Sequence, residues 1–162
     1  MRRTILREGV VAGILGATAV AVWFLIMDVV FREAFFTPLG LGRGLVAIFA
    51  PGREYAPFVF VCWYTLFHYA AFIGVATLAS LIVHVGERQP AVLAGAFILF
   101  VATEIGFYGL SSMLATSSVF QTLGWFEVVA GNLIAAFLMG AYLWRAHPAL
   151  KTSLDAALGD HA

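Results

Sequence analysis

Ionisable side chains within apolar stretches of the sequence offer groups that can transfer protons or bind cations. They are Asp28, His68, Glu104 and Glu127. Such groups are energetically costly inside a membrane and usually face the interior of a helix bundle. Positions three or four residues apart share a helical face, which places Tyr108 beside Glu104 and Tyr64 beside His68. We therefore predict that these six residues form a polar intramembrane cluster.

The depth of these groups follows from the helical rise of about 1.5 Å per residue. It places His68 and Glu104 each about 15 Å from the outer face, so the two side chains can lie at one level. One interpretation is a structural hydrogen bond or ion pair between two spans, and the other is a proton relay, cation site or metal site. Asp28 lies near the end of its span and is expected to be a solvated end cap, whereas both interpretations stay open for Glu127.

The composition indicates a membrane protein. The chain has 162 residues, of which 62% are hydrophobic and 11% are charged, and its mean hydropathy is +0.97. Soluble domains carry about 25% charged residues. The formal net charge of zero argues against a nucleic-acid partner, because nucleic-acid-binding surfaces are basic. The single cysteine, Cys62, excludes an intramolecular disulfide.

Apolar segments long enough to cross a bilayer predict an all-α fold, an up-down bundle of four transmembrane helices. A spanning helix needs about 20 apolar residues, and the predicted spans cover residues 9–31, 58–83, 91–115 and 119–144. The first span is expected to be retained, because its apolar run continues past Ala21 and is longer than the apolar region of a signal peptide. Residues 1–147 are thus predicted to form one transmembrane domain.

Two further short helices are predicted outside the spans. The outer loop, 32–57, contains a mostly apolar segment at 38–50, which is too short to span and is expected to lie at the membrane surface. Thr37 is its expected N-cap, with Pro38 at the first helical position. The tail, 148–162, carries Leu150, Leu154 and Leu158, whose spacing predicts a short amphipathic helix.

The distribution of basic residues predicts the orientation, because lysine and arginine are enriched in cytoplasmic loops. With the N-terminus in the cytoplasm, the outer side carries Arg32, Arg43 and Arg53, and the cytoplasmic side carries Arg2, Arg3, Arg7, Arg88, Arg145 and Lys151. We therefore expect both termini to be cytoplasmic, in a bacterial inner membrane.

Small residues predict the contacts between helices, because they allow close approach of two backbones in a membrane. On the first span these are Gly9, Gly13, Ala17 and Ala21, which share a face with Asp28, and on the fourth span the expected contact is Gly131.

No cofactor is required by the sequence, and a metal site is conceivable without being specified. One histidine with several carboxylates suits a hard or borderline cation. Transmembrane haem normally needs two strong axial ligands, whereas only His68 lies deep in a span. His84 is expected at the inner end of the second span, and His147 and His161 in the tail.

The sequence carries none of the common enzyme motifs for hydrolysis, phosphate binding or dinucleotide binding, which favours a non-enzymatic protein. Two functions are compatible with the remaining features. The first is a subunit or scaffold of a membrane assembly, in contact with the bilayer and with other membrane subunits or a second copy of itself. The second is a proton- or cation-coupled transporter or relay that uses Glu104, His68 and Glu127.

Overall fold

The protein is mainly helical in the residues that its structure, a computed structural model, describes: 2–89, 91–93, 95–96, 124–150, 152 and 155. Within these ranges no residue is in a strand. The long helices, in chain order, are α1 (Arg2–Phe31), α2 (Phe36–Phe49), α3 (Pro57–Gly86) and α4 (Trp125–Ala146). The all-α prediction is therefore confirmed for the described residues.

Three of these helices are long and apolar enough to cross a membrane, over Thr4–Phe31, Pro57–Gly86 and Phe126–Ala146. This is consistent with an integral membrane protein. Of the predicted third span, 91–115, residues 91–93 and 95–96 are helical, and the remainder lies outside the described residues. The predicted four-helix count therefore stays a prediction.

Helix α1 packs against both α3 and α4, and α2 packs against α3. Helix α1 runs antiparallel to both of its long neighbours, since Gly9 and Gly13 lie against Thr77 and Ile73, and Gly16 lies against Met139. The apolar core where α1, α3 and α4 meet consists of Ala12, Val20, Ala76, Ala135, Met139 and Leu143. Half of these side chains are alanine, so the helix axes approach closely, as small residues permit in membrane bundles.

Glycines of α1 set the distance to α3. A Cβ atom placed on Gly13 would lie 2.5 Å from the Cα of Ile73, and one placed on Gly9 would overlap Thr77. Both contacts involve backbone atoms of α3, which cannot move aside as a flexible side chain can. The N-terminal half of α1 therefore packs against α3 only because these positions have no side chain.

The other predicted packing positions differ from one another. Ala17 is fully buried, and Gly131 lies against the indole of Trp23. Ala21 is exposed and lines a cavity between α1, α2 and α3. The predicted small-residue face of α1 thus turns away from the helix contacts at Ala21. Gly16, which is not among the predicted packing positions, lies close to Met139.

Helix α2 begins at Phe36, two residues before the predicted start at Pro38. Its N-cap is Phe35, in the left-handed conformation with φ 67°, and this residue makes no side-chain capping bond. The prediction that Thr37 is the N-cap is wrong, because Thr37 lies inside the helix and its hydroxyl donates a hydrogen bond to Asp28 of α1. In the tail, residues 148–150, 152 and 155 are helical and Leu150 is buried, whereas Leu154 and Leu158 lie outside the described residues.

Candidate functional site

Charged side chains gather at both ends of the described bundle. We name the group at the α2 end the Arg32 cluster, which consists of Asp28, Arg32, Thr37 and Glu127. We name the group at the opposite end, which carries the N-terminus, the Glu8 cluster, which consists of Glu8, Ser80, His84, Glu87 and His147. Along α1, Glu8 and Asp28 are about 30 Å apart, close to the thickness of the hydrocarbon core of a bilayer.

The Arg32 cluster is organised around one guanidinium group. Arg32 follows directly after α1, and its Nη2 donates to both carboxylate oxygens of Glu127, over 2.8 and 2.7 Å. Its Nη1 donates to Asp28 Oδ1 over a longer distance of 3.4 Å. The cation therefore connects the end of α1 to the first turn of α4. Guanidinium groups suit this role because their donors are held in a rigid plane and they stay charged.

Asp28 connects α1 to the start of α2. Its Oδ2 accepts the backbone N–H of Thr37 over 2.8 Å, and its Oδ1 accepts the Thr37 hydroxyl over 2.7 Å. The first amides of a helix have no intrahelical acceptor, and Asp28 supplies one from a neighbouring helix. The side chain is fully buried, at 0% exposure, so the expectation of a solvated cap is wrong. Burial is possible because Thr37 and Arg32 satisfy both oxygens.

His68 lies between the two clusters. Its Nε2 is 3.0 Å from the carbonyl oxygen of Ala17, so this nitrogen carries the hydrogen and donates it to α1. The ring stacks on Tyr64, with centroids 5.5 Å apart, and contacts Phe72 at 4.8 Å. Ala17 is about 16 Å along α1 from Asp28, so His68 meets α1 at mid-depth.

A cavity of about 240 Å³ brings part of the predicted cluster together. Asp28, Tyr64 and His68 all line it, alongside mostly apolar side chains. Glu127 does not line this cavity and instead binds Arg32. Glu104 and Tyr108 lie outside the described residues, so their predicted proximity to His68 stays a prediction.

The Glu8 cluster joins α1, α3 and the end of α4. Glu8 Oε2 accepts the Ser80 hydroxyl over 2.6 Å and lies 3.0 Å from His147 Nε2. The other ring nitrogen, His147 Nδ1, lies 2.8 Å from Glu87 Oε1. His84 packs edge-on against His147 with ring centroids 4.4 Å apart. Three elements that are distant in sequence thus converge on one carboxylate.

The carboxylates around His147 favour its charged form. Burial lowers the pKa of this imidazole, but hydrogen bonds to Glu8 and Glu87 and the charges of both carboxylates outweigh burial and raise the pKa above its usual value. Because both ring nitrogens face carboxylate oxygens, both can donate only when the ring is an imidazolium.

The residue types of the Glu8 cluster are also those of metal sites. Glu8, His84 and His147 each offer a ligand atom, and these atoms lie within 4.8 Å of one another. Neither Glu8 nor this histidine pair is among the residues predicted from sequence. The predicted order of the spans could have identified them. In an up-down bundle, the start of the first span, the end of the second and the end of the fourth all lie at the same face of the membrane.

Comparison of the chain with protein-family models, with curated proteins and with solved structures gives no match.

Proposed function

We propose that the protein is an integral membrane subunit that acts as a non-enzymatic scaffold of a membrane assembly. The observation that supports this function best is how the polar side chains of the described helices are used. Four hydrogen bonds join side chains of one helix to another helix: Thr18 with Tyr69, His68 with Ala17, Trp23 with the Glu127 carbonyl, and Ser80 with Glu8. Polar groups that join helices make a rigid framework, as a scaffold requires.

The position of the charges supports insertion across a bilayer. The Arg32 and Glu8 clusters are about 30 Å apart along α1, and the residues between them are mainly apolar. At the α2 end, Ile48 and Phe49 are 76% and 77% exposed, as expected of an interfacial helix that inserts side chains into lipid. The distribution of basic residues supports an orientation with both termini in the cytoplasm, in a bacterial inner membrane.

Small residues on the outer faces of α3 and α4 are suited to a partner. Ala70 and Gly74 on α3, and Ala136 and Gly140 on α4, are exposed and four positions apart. No described residue lies within 4 Å of a Cβ placed on Gly74 or Gly140. This spacing supports close helix–helix contact in membranes, with another membrane subunit or with a second copy of the chain.

Native mass spectrometry of the protein extracted from its own membranes tests this function. We expect an assembly larger than one chain, and we expect Gly74→Leu or Gly140→Leu to dissociate it. Val75→Leu is the matched control, because Val75 is 61% exposed and already carries a branched side chain. A monomer in native lipid would contradict the scaffold function.

A proton- or cation-coupled relay is the second candidate. It is favoured by the cavity that His68, Tyr64 and Asp28 share. In reconstituted vesicles, a relay predicts a proton or cation flux that Glu104→Gln and His68→Gln each abolish. Wild-type vesicles without flux would exclude the relay and leave the scaffold function in place.

A further inference from the structure

The Glu8 cluster contains more histidine than a simple ion pair needs. An imidazolium at His147 already connects Glu8 and Glu87. His84 nevertheless directs its Nδ1 to within 3.7 Å of the same Glu8 oxygen. The two imidazole rings pack edge-on with centroids 4.4 Å apart. A nitrogen atom of each ring therefore lies close to one carboxylate oxygen, and this is an arrangement of donor atoms that metal sites use.

We propose that Glu8, His84 and His147 bind one divalent transition-metal ion of the Zn²⁺ class. The three ligands come from α1, from the last turn of α3 and from the residue after α4. The ion would therefore fasten the described spans together at the end that carries the N-terminus. This role is independent of the proposed scaffold function, since a metal can bind whether or not the chain assembles with partners.

The spacing of the ligand atoms fits an ion between them. Ligand atoms at about 2.1 Å from a tetrahedral Zn²⁺ are about 3.4 Å apart. His147 Nε2 and His84 Nδ1 lie 3.0 and 3.7 Å from Glu8 Oε2, on either side of this value. His84 Nδ1 is also 2.9 Å from the Ser80 carbonyl, and ligation through Nδ1 replaces that contact. The carbonyl still has its place in the helical hydrogen-bond ladder of α3.

Groups around the three ligands are placed as in known metal centres. A histidine ligand usually donates its second N–H to a carboxylate, which fixes the ring orientation and makes the ligand nitrogen more basic. Glu87 is in that position, 2.8 Å from His147 Nδ1. The carboxylate ligand is held as well, because Ser80 donates its hydroxyl to Glu8 over 2.6 Å. Hydrogen bonds therefore fix the orientation of two of the three ligands, His147 and Glu8.

The donor set selects the class of ion. Two imidazoles and one carboxylate suit Zn²⁺ and neighbouring first-row metals, whereas Mg²⁺ and Ca²⁺ prefer sites made of oxygen atoms. Three protein ligands leave a fourth position for water or for a group from a partner. A metal ion binds the neutral form of an imidazole, so ion binding competes with protons.

The test uses the full chain in mild detergent, purified without a polyhistidine tag and freed of metal with a chelator. Zn²⁺ is titrated by calorimetry, and Co²⁺ is titrated by its visible d–d absorption, whose intensity reports the coordination geometry of the bound ion. We expect one ion per chain and no displacement by millimolar Mg²⁺ or Ca²⁺. Wild-type protein that takes up neither Zn²⁺ nor Co²⁺ stoichiometrically would overturn the proposal and leave the cluster as an ion pair.

Single substitutions separate the ligands from their surroundings. Glu87→Gln is expected to weaken binding roughly 10- to 100-fold, as for other residues that orient a ligand, and His84→Ala and His147→Ala are expected to weaken it more. His68→Ala is the matched control, since it removes a buried histidine that contacts Ala17 instead, and it should leave the affinity unchanged. Helical circular dichroism and size exclusion establish that each variant is folded.

His84→Ala is the decisive variant, because it keeps the His147 contacts that join α4 to α1 and α3. Wild-type affinity in His84→Ala would overturn the proposal even if His147→Ala failed to fold. An equal loss in His68→Ala would also overturn it, since the ion would then not be held by this cluster.

Discussion

The charged clusters at the two ends of the bundle both connect α1 to α4, but they do so through different basic side chains. At the α2 end, a guanidinium connects α1 to α4 through Arg32 and Glu127. At the opposite end, an imidazole connects them through His147 and Glu8. Both clusters bury carboxylates at the edge of the apolar belt, where an unpaired charge would be costly.

The two basic side chains differ in whether they can lose a proton and bind a metal ion. Arginine cannot be deprotonated in proteins and has no lone pair to offer, so the Arg32 cluster is a permanent connection. Histidine loses its charge near neutral pH and then exposes a nitrogen lone pair. The Glu8 cluster can therefore respond to protons or metal ions, whereas the Arg32 cluster cannot. This contrast predicts how variants at each end should behave.

Removal of the guanidinium should have the largest effect. Arg32→Gln leaves Glu127, which is 4% exposed, and Asp28, which is 0% exposed, without their cation. Breaking one side of a buried ion pair costs about 3–5 kcal/mol, and we expect a loss of that size in the free energy of unfolding in detergent, at every pH between about 6 and 9.

Arg43→Gln is the control for this variant. Arg43 is exposed, and its guanidinium lies over the ring of Phe60, 5.9 Å from the centroid. Such an exposed contact contributes about 0.5–1 kcal/mol. Equal losses in the two variants would show that Arg32 has no special role, and the contrast between the clusters would then be wrong.

The opposite end should lose stability with rising pH. The pKa of His147 is raised in the folded chain, so its contribution is complete below the unfolded pKa of about 6.5 and disappears as the pH rises through the folded value. Metal-free protein, held in chelator, should therefore unfold more easily at about pH 9 than at about pH 6. The effect should be smaller than that of Arg32→Gln, because the neutral ring can still donate one hydrogen bond.

His147→Gln isolates this contribution, because glutamine can donate a hydrogen bond but does not titrate in this range. The difference in unfolding free energy between wild type and His147→Gln should shrink as the pH rises. A difference that stays constant with pH, or grows, would contradict a charged His147 between Glu8 and Glu87.

A smaller loss is expected where α2 is attached. Thr37→Val removes the hydroxyl that donates to Asp28 over 2.7 Å but keeps the backbone hydrogen bond to the same carboxylate. A hydrogen bond to a charged group contributes about 1.5–3 kcal/mol, which is the loss expected in unfolding free energy. Thr37→Ser retains the hydroxyl and should recover most of it.

Hydropathy predicts where the long helices lie, because the bilayer requires an apolar stretch of fixed length. The predicted spans 9–31 and 58–83 fall within α1 and α3. Helix α1 begins earlier than predicted because hydropathy detects the apolar part of a helix, and its first turns carry polar residues such as Arg7 and Glu8. The packing role of Gly9 and Gly13 is also predictable from the sequence, because glycine in a membrane helix allows a neighbouring helix to approach closely.

Side-chain partners are harder to predict, because a single sequence does not fix the rotation of each helix about its axis. Asp28 and Glu127 stand out in the sequence as carboxylates in apolar segments, yet the sequence does not identify Arg32 as their shared partner. The sequence places His84 at a helix end and His147 in the tail. Their contact depends on the threading and on the helix rotations together, and only the threading follows from hydropathy.

The smallest effect is expected between the two clusters, where neutral groups join α1 and α3. Tyr69→Phe removes the hydroxyl that lies 3.0 Å from Thr18 Oγ1. Hydrogen bonds between membrane helices contribute about 0.6 kcal/mol on average, and a double-mutant cycle with Thr18→Ala measures this coupling directly. A coupling near that value would mean that the charged ends are the main polar restraint on the bundle. A coupling above about 2 kcal/mol would equal that of a charge-assisted contact such as the one between Thr37 of α2 and Asp28 of α1. Polar contacts in the middle of the bundle would then contribute as much to its stability as those at its ends.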